Sequence, residues 1–301
     1  MSSGKLERLL EMLEAGEYKN QKWVKKTPGI QRQQLTHIQQ IISRLYASNC
    51  SSIAGNLKRC GEEVEYGMHT TLYFCNSPFC PRCRHKRQKD AAKDALLKFS
   101  YVPRDQLRFL TILLPVLYSP DKTDLKQRRD KAKKDIIKAL RPLNDVRLFG
   151  YFEIDVKDAD NLDITSREYK VLSDLGLLPI LNARFLNHPY LLHYHAIVDL
   201  GQNTVADLRS ALQPHFPHNY QINIKQLYAQ KLVPDNLQNL AFYMLKFRAQ
   251  FSTNIYANDD TENKSMTRYR DLYPQQRMSH YVSLVHDVGK FKFFKFHYNV
   301  R

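Results

Sequence analysis

The sequence predicts an α+β fold, because strand-like alternating segments are interspersed with amphipathic helical segments along a chain of 301 residues. A chain of this length can bury one large or two modest cores, and 43% hydrophobic residues are typical of a folded protein. A group of cysteines precedes the first predicted strand and indicates a metal-binding knuckle. We expect a helical N-terminal region (1–59), a knuckle with a basic helix (60–103), a sheet domain (104–258) and a basic, aromatic C-terminal extension (259–301).

The N-terminal region is predicted to be helical. Leucine and isoleucine residues recur at helical spacing over residues 4–15 and again over Arg32–Ala47. Neither segment carries a catalytic motif, so we interpret this region as a helical lead-in to the rest of the chain.

All five cysteines lie between Cys50 and Cys83, an arrangement that favours metal binding over a disulfide framework. The spacing Cys75-x4-Cys80-x2-Cys83 brings three thiolates together, and Cys60, at the start of a predicted hairpin, is our choice for the fourth ligand. Substitutes for the fourth ligand are His69, His85 and Cys50. We expect a structural Zn²⁺ held by four ligands, the alternative being buried reduced cysteines.

The chain is strongly basic, with 46 Lys and Arg against 30 Asp and Glu, a formal net charge of +16. Such an excess suits a polyanionic partner, because each neutralised phosphate releases condensed counterions. The basic residues in and after the knuckle are candidates for contacting a DNA backbone, or form an exposed helix face: Arg82, Arg84, Lys86 and Arg87.

The remaining elements follow in order along the chain. Apolar or alternating segments predict strands at Arg108–Leu114, Val146–Val156, Leu191–Leu200 and Tyr220–Leu227. Helical spacing predicts helices over 121–140, Val205–Leu212 and Pro234–Phe251.

A pair of histidines in the third of these strands indicates a metal site. His193 and His195 are two residues apart, so their imidazoles share one face of the strand. Glu153 is the best candidate for an oxygen ligand, because a carboxylate among aromatic residues in a strand needs a positive partner. Asp155 is the reserve, and the alternative is that these are ordinary polar residues on a hydrated face.

Three segments, in this order along the chain, resemble motifs of the HUH endonucleases, specifically the single-tyrosine replication initiator (Rep) proteins of rolling-circle plasmids. They are Phe109-Leu110-Thr111, His193-Tyr194-His195 and Ala241–Phe247. The Cys60-Gly61 pair with the downstream cysteines, and Gly150–Val156 with its Glu153, resemble a subset of this family. The likeness spans roughly residues 60–250.

The resemblance implies a central antiparallel sheet of about five strands (an RRM-like palm) with flanking helices, and assigns the endonuclease domain to 104–258. It implies that His193 and His195, with Glu153, hold Mg²⁺ or Mn²⁺, and that Tyr243 is the nucleophile on single-stranded DNA. Lys246, three residues along the predicted helix, would favour the phenolate or bind the phosphate. The expected products are a 5′-phosphotyrosine and a free 3′-OH that primes synthesis.

The same resemblance implies that the partners are origin DNA and a host helicase and polymerase. The chain has no run of about 20 apolar residues and no secretory signal, so we expect a cytoplasmic protein with no membrane partner. The chain departs from the family pattern at two places. Some single-tyrosine initiators have a glutamate one helical turn before the tyrosine, where this chain has Asn239 and Leu240. Two-tyrosine members have a second tyrosine one turn later, where this chain has Phe247.

Other functions stay open from the sequence. A relaxase or a single-strand transposase of the same superfamily would use the same residues, and a non-catalytic zinc-containing nucleic-acid-binding protein would use none of them catalytically. The aromatic and basic tail suits strand holding, whereas Phe291–Phe296 equally suits a strand that completes the sheet.

Overall fold

The computed structural model describes residues 38–66, 69–157, 166–177, 189–247, 250–256, 266–272 and 275–299. The predicted helix over 4–15 lies outside these residues, and of Arg32–Ala47 the residues 38–46 are seen to be helical. In the described part, the helices are α1 (38–46), α2 (Ser51–Arg59), α3 (Pro81–Phe99), α4 (Lys122–Leu140), α5 (Arg167–Asp174), α6 (Val205–Leu212), α7 (Val233–Met244), α8 (Gln275–Asp287) and α9 (Lys290–Phe294).

The strands in the same residues are β1 (Glu63–Tyr66), β2 (His69–Leu72), β3 (Leu107–Leu113), β4 (Leu117–Tyr118), β5 (Arg147–Val156), β6 (Pro189–Asp199), β7 (Ile222–Gln226), β8 (Gln250–Tyr256), β9 (Met266–Leu272) and β10 (Lys295–Asn299). The pairs β1–β2 and β8–β9 are separate antiparallel hairpins.

The central sheet has six strands in the order β10-β5-β6-β3-β7, with the short β4 also paired to β6. All its pairings are antiparallel, and every residue of β6 is buried. The histidine strand therefore lies mid-sheet, and α7 packs against both β5 and β6. The predicted α+β class, with an antiparallel sheet, flanking helices and a cysteine cluster, is confirmed, although the sheet has one strand more than expected.

Gly150 allows β5 to lie close beneath a side chain of β6. A Cβ atom at Gly150 would come within 2.5 Å of the Tyr194 hydroxyl and 2.4 Å of the His195 carbonyl oxygen. The Tyr194 hydroxyl crosses above Gly150 and donates a hydrogen bond to the carbonyl of Phe296 on β10, at 2.9 Å. The face opposite the histidines is thus closed by aromatic packing, which holds β5, β6 and β10 together.

The predicted helix Pro234–Phe251 is shorter in the structure, because α7 ends at Met244. The Gln88 side chain of α3 donates to the carbonyl of Phe242 at 3.0 Å, so an acceptor at the helix end is satisfied from outside. Phe247 is fully buried against the aromatic residues of α9. The chain therefore turns into the core after α7 instead of continuing as a helix.

The C-terminal residues belong to the central sheet. β10 pairs with β5 along Lys295–Asn299, and its Phe296 is buried with the phenylalanines of α9. The alternative interpretation of Phe291–Phe296 as a strand that completes the sheet is right only for Lys295 and Phe296, because the residues up to Phe294 form α9. The predicted boundary between residues 258 and 259 therefore does not separate the C-terminal residues from the sheet. Among the described residues, no helix combines the length and apolar character needed to cross a bilayer.

Candidate functional site

The strand register brings a carboxylate and two imidazoles to one face of the sheet. Glu153 of β5 lies directly opposite His193 of β6, and Thr111 of β3 lies opposite His195. Residues that face each other on antiparallel strands project from the same side, so these groups converge at the centre of the sheet.

One oxygen of the carboxylate is shared by both rings. Oε2 of Glu153 lies 3.0 Å from Nε2 of His193 and 3.2 Å from Nε2 of His195. The Glu153 side chain is fully buried, and each histidine is only 4% exposed. Asp155, the reserve oxygen ligand, instead pairs with Lys157 at 3.6 Å. The structure therefore brings together Glu153, His193 and His195 and leaves Asp155 outside the group.

The unpartnered atoms of this group fit a divalent cation. Oε1 of Glu153, Nδ1 of His193 and Nε2 of His195 are buried without a hydrogen-bond partner, a costly arrangement in a dry interior. One ligand atom from each residue lies within 4.8 Å of the others. A carboxylate oxygen with two imidazole nitrogens is a donor set for a divalent metal ion. The group could hold a metal ion.

The protonation states of the group suit metal binding. Burial by itself would raise the pKa of Glu153, but the adjacent His193 and His195 rings and the charge of Lys246 outweigh it, and the pKa is lowered. Burial, with the charge of His193, lowers the pKa of His195 to about 4. The carboxylate is thus ionised and the His195 ring neutral at pH 7, which is the state in which both bind cations.

Two residues of β3 surround the His195 ring. Oγ1 of Thr111 lies 2.9 Å from Nδ1 of His195. The Phe109 ring stacks on the imidazole with centroids 5.6 Å apart. Together they fix the ring plane and give Nδ1 a partner, so Nε2 is directed toward Glu153. Both residues belong to the first of the motifs found in the sequence, but the sequence does not indicate that they hold the His195 ring in place. The register of β3 with β6 shows this role.

Tyr243 lies beside the histidines and reaches solvent. Its ring centroid is 5.1 Å from that of His195 and 5.7 Å from that of Phe109, and the residue is 42% exposed. The prediction that Lys246 and Tyr243 share a helix face is wrong, because Lys246 follows the end of α7. Its ammonium nevertheless lies 3.9 Å from the centre of the Tyr243 ring and 3.4 Å from Oε2 of Glu153. A cation thus bridges the exposed phenol and the buried carboxylate.

The four cysteines chosen from the sequence form a second group. The Sγ atom of Cys60 lies 3.4 Å from that of Cys80 and 3.5 Å from that of Cys83, and Cys75 lies 3.6 Å from Cys83. A tetrahedron with metal–sulfur bonds of about 2.3 Å has sulfur atoms about 3.8 Å apart, whereas a disulfide requires about 2.05 Å. The spacing therefore matches a metal-bound set of thiolates and not a disulfide pair.

Local structure explains how this group forms. The hairpin of β1 and β2 is closed by hydrogen bonds between Gly61 and Tyr73 and between Tyr73 and Glu62, which return the chain from Cys60 toward Cys75. Hydrogen bonds from the other three thiols lower the pKa of Cys60. The substitutes Cys50, His69 and His85 are not part of this group, and Cys50 instead contacts Ser283 at 3.3 Å.

The basic residues after the knuckle differ in their surroundings. Arg84 is partly buried and donates to the carbonyl of Phe247 at 3.2 Å, so its guanidinium supports the chain after α7. Arg82, Lys86 and Arg87 are exposed, with the Lys86 ammonium 4.6 Å from the centre of the Phe74 ring and Arg87 paired to Asp90 at 3.6 Å. Three of the four predicted DNA contacts are therefore available at the surface, and Arg84 is turned inward.

The chain was also compared with known proteins. No protein-family model, no curated protein and no solved structure gave a significant match. The geometry of the site is therefore the basis for inferring what the protein does.

Proposed function

We propose that the protein is a metal-dependent single-stranded DNA nickase and ligase that initiates rolling-circle plasmid replication. The observation that carries the proposal is the exposed Tyr243 ring 5.1 Å from His195, beside a buried Glu153, His193 and His195 group. The net charge of +16 suits a polyanionic substrate, and the motif order resembles the single-tyrosine HUH initiators.

In the proposed reaction, the Tyr243 oxygen attacks the phosphorus of the scissile phosphodiester. A bond forms between the tyrosine oxygen and phosphorus, and the bond between phosphorus and the 3′ oxygen breaks. The phenol releases its proton to solvent, which its exposure allows, and the departing 3′ oxygen takes up a proton. The products are a 5′-phosphotyrosine and a free 3′-OH, and the retained phosphoester energy allows later rejoining.

The residues around Tyr243 prepare this attack. The Lys246 ammonium lies 3.9 Å from the centre of the phenol ring, where it can bind the phosphate that the tyrosine attacks. His193, His195 and Glu153 would hold Mg²⁺ or Mn²⁺, and this ion would polarise the phosphate and stabilise negative charge developing on its oxygens. Thr111 and Phe109 keep the His195 ring in place, so the ligand geometry exists before substrate binds.

The proposal assigns Zn²⁺ to Cys60, Cys75, Cys80 and Cys83 as a structural ion, because a closed set of four thiolates leaves no position for substrate. It places the protein in the cytoplasm, where thiols stay reduced and plasmid origins are found. Origin DNA is then the substrate, and a host helicase and polymerase would extend the new 3′-OH.

The test is covalent capture of DNA. The protein is incubated with a pool of single-stranded oligonucleotides and Mn²⁺, and adducts are detected as shifted bands under denaturing conditions. We expect an adduct that requires Mn²⁺ and whose DNA begins at one preferred 5′ nucleotide. Tyr243→Phe should abolish the adduct without weakening DNA binding, whereas the control Tyr220→Phe, which alters another exposed tyrosine, should not. An adduct that survives Tyr243→Phe would overturn the assignment of the nucleophile.

A further inference from the structure

The loop between β7 and α7, residues 227–232, is held rigidly by two side chains from outside it. Asn236, 1% exposed, accepts from the backbone N–H of Tyr228 at 3.1 Å and donates to the Tyr228 carbonyl at 3.0 Å. The Arg104 guanidinium donates to the carbonyls of Ala229 and Lys231, both at 2.8 Å. The backbone of this loop is therefore ordered by buried or charge-assisted hydrogen bonds.

This ordered loop exposes apolar side chains. Tyr228 is 60% exposed and Leu232 65%, and the Lys231 ammonium lies 5.1 Å from the centre of the Tyr228 ring. A single exposed tyrosine is ordinary on a protein surface. A tyrosine on an ordered backbone beside a cation is better suited to binding a nucleic acid base, because stacking does not cost the conformational entropy of ordering the loop.

The strand register connects this loop to the proposed active site. Lys225 of β7 lies opposite Phe109 of β3, whose ring contacts both His195 and Tyr243. Lys225 is exposed, and it projects from the face of the sheet that carries the histidines. Tyr228 is three positions after Lys225, a span of at most about 10 Å. A cation and an aromatic ring thus follow one another along the sheet edge away from the site.

We propose that single-stranded DNA leaving the active site crosses Lys225 and stacks a base on Tyr228, with Lys231 contacting an adjacent phosphate. The inference rests on the proposed function, since it names where the strand bound at that site runs. Base stacking on aromatic side chains tolerates every base because each has a π face, so Tyr228 holds the strand without reading its sequence. Sequence selection must then come from other contacts.

The experiment measures binding of a fluorescent 20-nucleotide oligo(dT) by anisotropy, in buffer with EDTA to prevent cleavage while the cysteine cluster keeps its metal, which is checked by metal analysis. Loss of one stacked base costs about 1–3 kcal/mol, so Tyr228→Ala should weaken binding about 5- to 150-fold. Tyr228→Phe should bind as the wild type does, and Lys225→Ala should reduce the salt dependence by about one phosphate contact. Tyr46→Ala, at another exposed tyrosine on α1, is the matched control and should have no effect.

An abasic strand of the same length separates stacking from charge. Wild type and Tyr228→Ala should bind it equally, because it keeps every phosphate and lacks every base. Equal binding of oligo(dT) by wild type and Tyr228→Ala would overturn the inference while leaving adduct formation at Tyr243 untouched. A Tyr228-dependent affinity without any Mn²⁺-dependent adduct would support the binding surface and overturn the nickase. Failure of the wild type to bind either strand would overturn both.

Discussion

Replacing Thr111 by valine should weaken binding of the divalent ion to the Glu153, His193 and His195 group. To bind a metal through Nε2, the neutral His195 ring must carry its proton on Nδ1, and this N–H donates to Oγ1 of Thr111, 2.9 Å away. Valine keeps the shape of the side chain and removes the acceptor. The ring can then place its proton on Nε2, 3.2 Å from Oε2 of Glu153, and this tautomer has no lone pair for the ion.

The size of the effect follows from burial. His195 is 4% exposed, so an Nδ1–H without a partner costs about 1–3 kcal/mol, or about 5- to 150-fold in an equilibrium constant. Residues that orient metal ligands through hydrogen bonds are worth about 10- to 100-fold in affinity. We therefore expect Thr111→Val to raise the Kd for Mn²⁺ about 10- to 100-fold.

The assay is titration with Mn²⁺, with the free ion followed by electron paramagnetic resonance while the metal content of the cysteine cluster is held constant. Thr111→Ser, which keeps the hydroxyl, should bind within a few-fold of the wild type. Thr71→Val on the exposed β2 strand is the matched control for the same chemical change and should have no effect. The reasoning fails if Thr111→Val binds Mn²⁺ as the wild type does, or if serine loses as much affinity as valine.

Three further outcomes are expected. Burial lowers the pKa of His195 from 6.5 to about 4, so the unfolded chain takes up this proton at a higher pH than the folded protein does. The free energy of unfolding of the metal-free protein should therefore fall by up to roughly 3 kcal/mol as the pH falls from 6.5 through 4. His195→Asn should flatten that part of a curve of stability against pH. Cys83→Ser should release the metal of the cysteine cluster and lower the Tm by several degrees, with metal analysis and calorimetry as readouts, whereas Cys50→Ser should keep the metal. Phe247→Ala should cost about 3–5 kcal/mol in urea unfolding, since the ring is fully buried; no change in the urea midpoint would contradict its place in the core.

The shared face of His193 and His195 could be predicted because the period of a strand is set by its backbone. The same rule placed Glu153 on a definite face of its own strand. It could not place Glu153 opposite His193, because that register depends on which strands pair and where their pairing starts. The cysteine cluster was predictable for a different reason, since thiolates at short spacings are brought together by metal chemistry more than by distant packing.

The end of α7 shows what periodicity cannot supply. Apolar residues continue at helical spacing beyond Met244, so the sequence predicts a helix that runs on to Phe251. The helix ends at Met244, where side chains more than 150 positions away, Gln88 and Arg84, hydrogen-bond the carbonyls of Phe242 and Phe247. Such partners become visible only when α3 and α7 pack together. The C-terminal strand is similar, because β10 pairs with a strand well over 100 positions earlier.

The early end of α7 also bears on the proposed reaction, because the chain after the helix turns into the core. Tyr243 is 42% exposed, whereas Phe247 is fully buried against Phe291 and Phe294. Phe247 stands where two-tyrosine members of the family that the motifs resemble have their second tyrosine. A hydroxyl at Phe247 would lie in an apolar cluster, where it could neither lose a proton cheaply nor approach a phosphate. The proposed reaction at the Glu153, His193 and His195 group therefore has one tyrosine available from α7 and the segment that follows it to Phe247.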